Sequence, residues 1–169
     1  MNEYTGNFNL NLSGQISYKD YRNTTLEVYF KSTVVKILLF TVITIIIIFI
    51  RFYIAFEDVS PFPMLVIVGV ACFMPIYQAK KIYRENKIFH EKLTYHLDNE
   101  KFTITGETVN STQNWSRLFK ITETRTFFLL YHDSIIANWL DKKMFSDEEI
   151  IEFRKFVNSL DVKKELRKK

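Results

Sequence analysis

Apolar positions are concentrated in two long runs. The first reads VVKILLFTVITIIIIFIRFYIAF from Val34, and after Glu57-Asp58-Val59-Ser60 and Pro61 the second reads FPMLVIVGVACFMPIYQA up to Ala79. Each is close to the ~20 residues an α-helix needs to cross ~30 Å of hydrocarbon. The Ile, Val and Thr of the first run would favour a strand in water, but lipid requires every backbone group to be bonded within the segment, which selects helix. Lys36 and Arg51 lie near the ends of that run, where long cationic stems reach the interface. A buried core pair is the competing reading, and a domain this small could not cover two such runs all round. The pattern therefore predicts a two-helix transmembrane hairpin with spans at 34–56 and 62–79, its tip at Glu57–Ser60, and Pro61 and Pro63 suited to a helix start. Pro75 is placed to kink the second span. Gly69 and Ala71 lack the spacing of a small-xxx-small dimer face.

The flanks have other periods. Phe8, Leu10 and Leu12 alternate with asparagines, as in a half-buried strand that Gly14 ends. Ser17 with Asp20 resembles a helix cap, and YKDYRNTTLEVYF can run as a helix into the first span, with Tyr18, Tyr21 and Tyr29 at headgroup level. Behind the hairpin, KKIYRENKIFHEK continues helically to near Lys92, with Ile82, Phe89 and Leu93 on one stripe. LTYHL and KFTIT, joined by Asp98-Asn99-Glu100, then read as a β-hairpin. Gly106 opens another turn, and TVNSTQNW, LFKITET, FFLLYH and SIIANWL supply further short strands. Ser146 with Glu149 forms a capping box, after which Ile150, Phe153, Val157 and Leu160 share one helical face. The expected architecture is an α+β membrane protein. It comprises an N-terminal strand and interfacial helix (1–33), the transmembrane hairpin (34–79), a small pleckstrin-homology-like antiparallel β-barrel or sandwich closed by a C-terminal amphipathic helix (80–162), and a basic tail (163–169).

Charge orients this arrangement. Lys19, Arg22 and Lys31 precede the first run and Lys80, Lys81, Arg84 and Lys87 follow the second, whereas the tip has two acids and no base. The positive-inside rule then places both ends in the cytoplasm, as in a multi-pass protein of the cell membrane. Some thirty polar residues precede the first run, which argues against a cleaved secretion signal. In that orientation the acceptor patterns at Asn11, Asn23, Asn110 and Asn114 are chance matches. The single cysteine, Cys72, excludes a disulfide within the chain, and lying in an apolar run it is expected to be inert.

The order of a Tyr-containing segment, two spans, LTYHLDNEKFTITG, Trp115-Ser116-Arg117-Leu118-Phe119-Lys120-Ile121 with Glu123-Thr124, then FFLLY, and an apolar strand leading to DKKMFSDEE resembles the YcxB-like family of bacterial membrane proteins. The resemblance covers almost the whole chain, with diffuse motifs. Asn138 and Trp139 depart from it, standing where plainer apolar residues and a Pro are expected. It implies a membrane-anchored, cytoplasmic PH-like domain without an established activity, and it supplies no catalytic residues.

No catalytic constellation is complete. His90, Glu91 and His96 do not share a helical face and lack a third ligand of suitable spacing, so no metal is expected. His132 and Asp133 fit a solvated hairpin turn better than part of a triad. The glycines never cluster, which removes the nucleotide-binding loops, and no cofactor is expected. A net charge of +4 and a pI near 9.0 suit a polyanion. No stacking aromatics interleave the bases, so the leaflet is a nearer partner than nucleic acid. Lys80, Lys81, Arg84 and Lys87 are the candidate lipid-headgroup ligands, each contributing about 1 kcal/mol near an anionic surface. Trp115, Lys142 and Lys143 are candidate partner or pocket contacts, although Trp115 suits the core better. The expectation is a non-enzymatic binding or regulatory module facing an unidentified protein partner or anionic headgroups. The alternative is an accessory subunit of a membrane enzyme or transport complex.

Overall fold

The computed structural model describes residues 6–55 and 62–167. The expected hairpin tip at Glu57–Ser60, with Pro61, and the last two lysines lie outside the described residues. Among the described residues four α-helices and two four-stranded sheets make an α+β fold, and the sheets do not close into a barrel.

The first sheet has the order β1 (Asn9–Gly14), β2 (Leu93–Asp98), β3 (Lys101–Thr105), β4 (Asn110–Asn114), antiparallel throughout. The alternation expected around Phe8–Leu12 is realised: Leu10 and Leu12 point into the core while Asn9, Asn11 and Ser13 face out. β1 pairs with β2 along its whole length, from Asn9 opposite Asp98 to Gly14 opposite Leu93. Phe8 N–H donates to Asn99 Oδ1 at 3.0 Å across a sequence separation of 91. The strand assigned above to an N-terminal segment is thus an edge of the C-terminal sheet. The β2–β3 turn forms as expected, with Asp98 Oδ1 accepting from the backbone N–H of Glu100 and Lys101, both at 2.8 Å.

The second sheet has the order β7 (Ala137–Asp141), β6 (Phe127–Tyr131), β5 (Lys120–Glu123), β8 (Lys163–Glu165). β6 is buried along its length, which accounts for the unbroken apolar FFLLY. The stretch read as a basic tail contains β8, parallel to β5 with Lys120 opposite Lys163. The strand itself is Lys-Lys-Glu, with no apolar side chain to announce it; pairing with β5 holds it together with Lys164 Nζ, which donates to Asn158 O at 2.8 Å and Leu160 O at 2.7 Å. Helix α4 (Asp147–Ser159) starts at the expected capping box, with Ser146 and Glu149 bonded reciprocally. Phe153 and Phe156 bring it into the core shared by both sheets, Phe156 stacking on Phe8 with ring centroids 4.1 Å apart.

Between β1 and β2 run α1 (Tyr18–Lys31), α2 (Thr33–Ala55) and α3 (Phe62–Glu85). Ser17 caps α1 as expected, its side chain accepting from Asp20 N–H. α1 packs on the domain. Tyr21, expected at headgroup level, is buried against Tyr83, Phe89 and Trp139. Thr24 and Thr126 hydroxyls meet at 2.6 Å, and Tyr83 Oη donates to Ile16 O at 2.8 Å. α1 does not run straight into α2: Ser32 is extended, and the axes differ by 71°. α3 ends at Glu85 rather than near Lys92, and Asn86 caps a short 3₁₀ turn, Lys87–Phe89, so Leu93 is a strand residue. Among the described residues no single helix is long and apolar enough to cross a membrane. Residues 18–31 and 35–51 meet that measure only together, as a bent pair.

Candidate functional site

The domain surface nearest α2 and α3 is built from three segments. The first is the end of α3. Ala79 is fully buried against the core, and Lys80, Lys81, Arg84 and Lys87 beyond it are all exposed. At 3.6 residues per turn Lys80, Lys81 and Arg84 share one side of the helix. Among the described residues the only ion pair these four make is Arg84 with Glu85, at 3.9 Å on the surface. Such a contact contributes little. The cations are therefore available to an external anion.

The second segment is the end of α1. Lys31 pairs with Glu27 at 2.6 Å, and Ser32 follows at the bend. The third is the β6–β7 turn, His132–Ile136. Asp133 Oδ1 accepts from the backbone N–H of Ile135 and of Ile136, both at 2.7 Å, and those bonds hold its carboxyl below the ordinary value. His132 N–H donates to Ile136 O at 2.9 Å. The turn expected at His132-Asp133 is thus present. His132 is half-buried rather than solvated, and its Nε2 has no hydrogen-bond partner among the described residues. Tight closure at Asp133 leaves Ile135 84% and Ile136 62% exposed.

A groove of about 350 Å³ separates this turn from the end of α3. Ile82 and Ile88 stand on one wall, Ile135 and Ile136 on the other, with Trp139 and Tyr95 between them. Tyr95 donates its hydroxyl to Trp139 O at 2.9 Å, and burial pushes its ionisation far above the ordinary tyrosine value. The groove offers apolar surface and no paired acid and base. It suits an apolar chain, not proton transfer.

The remaining sequence candidates are placed elsewhere. Trp115 is 2% exposed and lies in the core against Phe102 and Phe156, donating Nε1–H to Asp98 O at 2.8 Å; it is not a partner contact. Truncating Trp115→Ala is expected to cost about 3–5 kcal/mol, read as a lower urea midpoint with Trp139 as the remaining fluorophore. Lys142 turns inward, 2.5 Å from Glu123 Oε1 and 2.7 Å from Thr124 O, and Lys143 is paired with Asp20. Lys142 is thus held inward, whereas Lys143 keeps 66% of its side chain exposed. His90 Nε2 contacts Tyr83 O, Glu91 accepts from Thr108, and His96 Nδ1 contacts Asn11 Oδ1, so the three are not brought together. Among the described residues no group of three or more His, Cys, Asp or Glu could hold a metal.

Two features escaped the sequence reading. SIIANWL reads as one strand, yet the strand starts only at Ala137; the signal was Asp133, four residues earlier, whose side chain turns the chain. Glu123 is buried with Arg154 at 2.5 Å as well as Lys142, and no local pattern announces three charges from β5, the β7–α4 connection and α4.

No curated protein and no solved structure matches the chain. The family model described as YcxB-like protein matches residues 97–157, from the end of β2 into α4, leaving β1, α1–α3 and β8 outside the matched segment. Over residues 97–157 this α+β chain is similar to the YcxB-like family.

Proposed function

We propose that the protein is a non-enzymatic module of the cell membrane. In this reading α2 and α3 are a two-helix anchor, both termini are cytoplasmic, and the two sheets with α4 form a PH-like domain that faces anionic headgroups. The observation that carries the reading is the outward apolar surface of α2 and α3. Phe40 is 72% and Phe73 71% exposed, with Ile43, Ile47, Ile50, Val70 and Met74 also bare. No protein surface among the described residues covers them. In water such surface costs about 25 cal/mol per Å², and patches of this extent mark membrane or partner contacts. Lys80, Lys81, Arg84 and Lys87 emerge where α3 joins the domain, at the depth where bases meet headgroups. The positive-inside bias supports the orientation.

Two measurements on the full chain test this reading. Alkaline carbonate washing of membranes is expected to leave the protein in the pellet, and release into the supernatant would refute the anchor. Lipid retained through purification in mild detergent is then identified by mass spectrometry. Changing the four bases to Gln is expected to lower anionic relative to zwitterionic lipid severalfold, with the wild-type excess itself falling at high salt. An unchanged ratio would refute headgroup recognition while leaving the anchor standing.

A further inference from the structure

We infer that the β6–β7 turn is a membrane-dipping element: Ile135 and Ile136 insert into the interfacial layer of the leaflet beside the anchor. The inference rests on the anchor reading above and adds to it a second, non-helical contact. Its observations are independent of the basic cluster. Ile135 is among the most exposed large apolar side chains described, yet it is not on a floppy tip, because Asp133 Oδ1 binds two consecutive backbone N–H groups and His132 closes on Ile136. Holding adjacent isoleucines outward in a turn closed by these bonds has a cost in water, and among the described residues Ile135 stays 84% and Ile136 62% exposed.

Position identifies the occupant. Ile135 and Ile136 share a groove with Ile82 of α3, five residues, or about 7.5 Å of helix, beyond the exposed Tyr77. On its other side Ser134 shares a cavity with Lys31 and Ser32, at the bend from which α2 departs. The turn therefore lies beside both points where the apolar helices leave the domain. Lys31 and Lys120 flank it together with Glu165; Lys31 is paired with Glu27 and Lys120 with Glu165, so the surroundings are close to neutral and it is the apolar surface that argues for the leaflet. Asp133 is the acid in the turn, and its carboxylate oxygen is engaged by backbone N–H groups.

The test uses the full chain in proteoliposomes of phosphatidylcholine and phosphatidylglycerol. Cysteines introduced one at a time in a Cys72→Ala background carry an environment-sensitive fluorophore, quenched by lipids brominated at shallow or deep positions. Ile47→Cys reports on α2 and Ile135→Cys on the turn. Glu100→Cys lies in the β2–β3 turn, beyond the strand that begins at the groove residue Leu93 and about 20 Å from it at ~3.3 Å per residue. The expected result is deep quenching at 47, shallow quenching at 135, and none at 100. Quenching at 47 with position 135 as unquenched as 100 overturns the inference and leaves the anchor intact. A blue-shifted but unquenched label at 135 overturns it in favour of a protein cover, including a second copy. Absence of quenching at 47 overturns the anchor and the inference with it.

Discussion

Residues 80–169 expressed alone are expected to aggregate, whereas residues 6–32 joined to 78–169 by a short Gly/Ser linker are expected to give a soluble, monomeric domain. The truncated fragment begins after the apolar runs and contains the whole family match, so a linear reading would choose it. It lacks β1 and α1. Without β1 the edge of β2 is bare, an invitation to intermolecular pairing. Phe8, Leu10, Leu12, Ile16 and Tyr21 also leave the core. Each such side chain contributes about 1.5–3 kcal/mol on burial. Five of them reach the order of a domain's entire stability, about 5–15 kcal/mol. α1 and α3 lie side by side, Tyr18 at the start of α1 meeting Tyr83 with ring centroids 5.3 Å apart, so the linker has at most the ~21 Å length of α1 to run back along. Gel filtration with amide-dispersed NMR spectra decides the matter. A monomeric, well-dispersed 80–169 fragment would contradict the split domain.

Replacing Glu123→Ala is expected to destabilise the domain by about 3–5 kcal/mol, the usual cost of removing one member of a buried ionic group. Glu123 accepts from Lys142, from Arg154 through both oxygens, and from Arg167 N–H at 3.2 Å. Lys142 is itself 13% exposed and lies over the Phe128 ring. Removing the carboxylate leaves that ammonium buried with only Thr124 O. Exchanging all three as Glu123→Leu, Lys142→Met and Arg154→Met is expected to recover most of the loss, because burial of matched apolar groups avoids desolvating charges. Equal losses in the single and triple variants would show that the charges themselves are indispensable.

The same network sets a pH dependence. Burial pushes the Glu123 carboxyl up, and the bonds from Arg154 and Lys142 more than reverse that, holding it below its ordinary 4.5. A lowered folded value means that the stabilisation is complete above about pH 4.5 and is lost as pH falls through the folded value. Asp20 is likewise pushed up by burial and held down overall by Lys143 and Ser17, from its ordinary 3.8. Asp141 has the opposite sign: burial raises it, so it favours folding only at acid pH and opposes it as pH rises through its raised value. Wild type is expected to lose stability below pH 4.5 more steeply than Glu123→Gln. Urea midpoints between pH 3 and 7 would show it.

The parts legible in the sequence are those with short-range causes. The β2–β3 hairpin follows from alternation plus the Asp98 turn, and α4 from its capping box, because the interactions that fix them lie within a few residues. What was misread depends on distant partners. Tyr21 looks interfacial until Trp139 and Phe89 arrive from later in the chain to bury it. β8 carries Lys-Lys-Glu and is a strand only because β5 offers it an edge. Of the site, the exposed cations were visible as charge, while the isoleucine turn was hidden inside a strand-like run whose first residues lie outside the strand.

The pairing of β1 with β2 has a consequence for biogenesis. The two strands leave the ribosome on either side of the apolar runs, and they can meet only if both are delivered to the same compartment. If α2 and α3 are the proposed anchor, a chain with one helix threaded, or with the two threaded in a way that separates their outer ends, would leave Phe8–Gly14 across the bilayer from its partner and could not close the first sheet. Folding of the domain would then act as a proofreading step on insertion, and mis-threaded chains would present an open sheet edge to quality-control proteases.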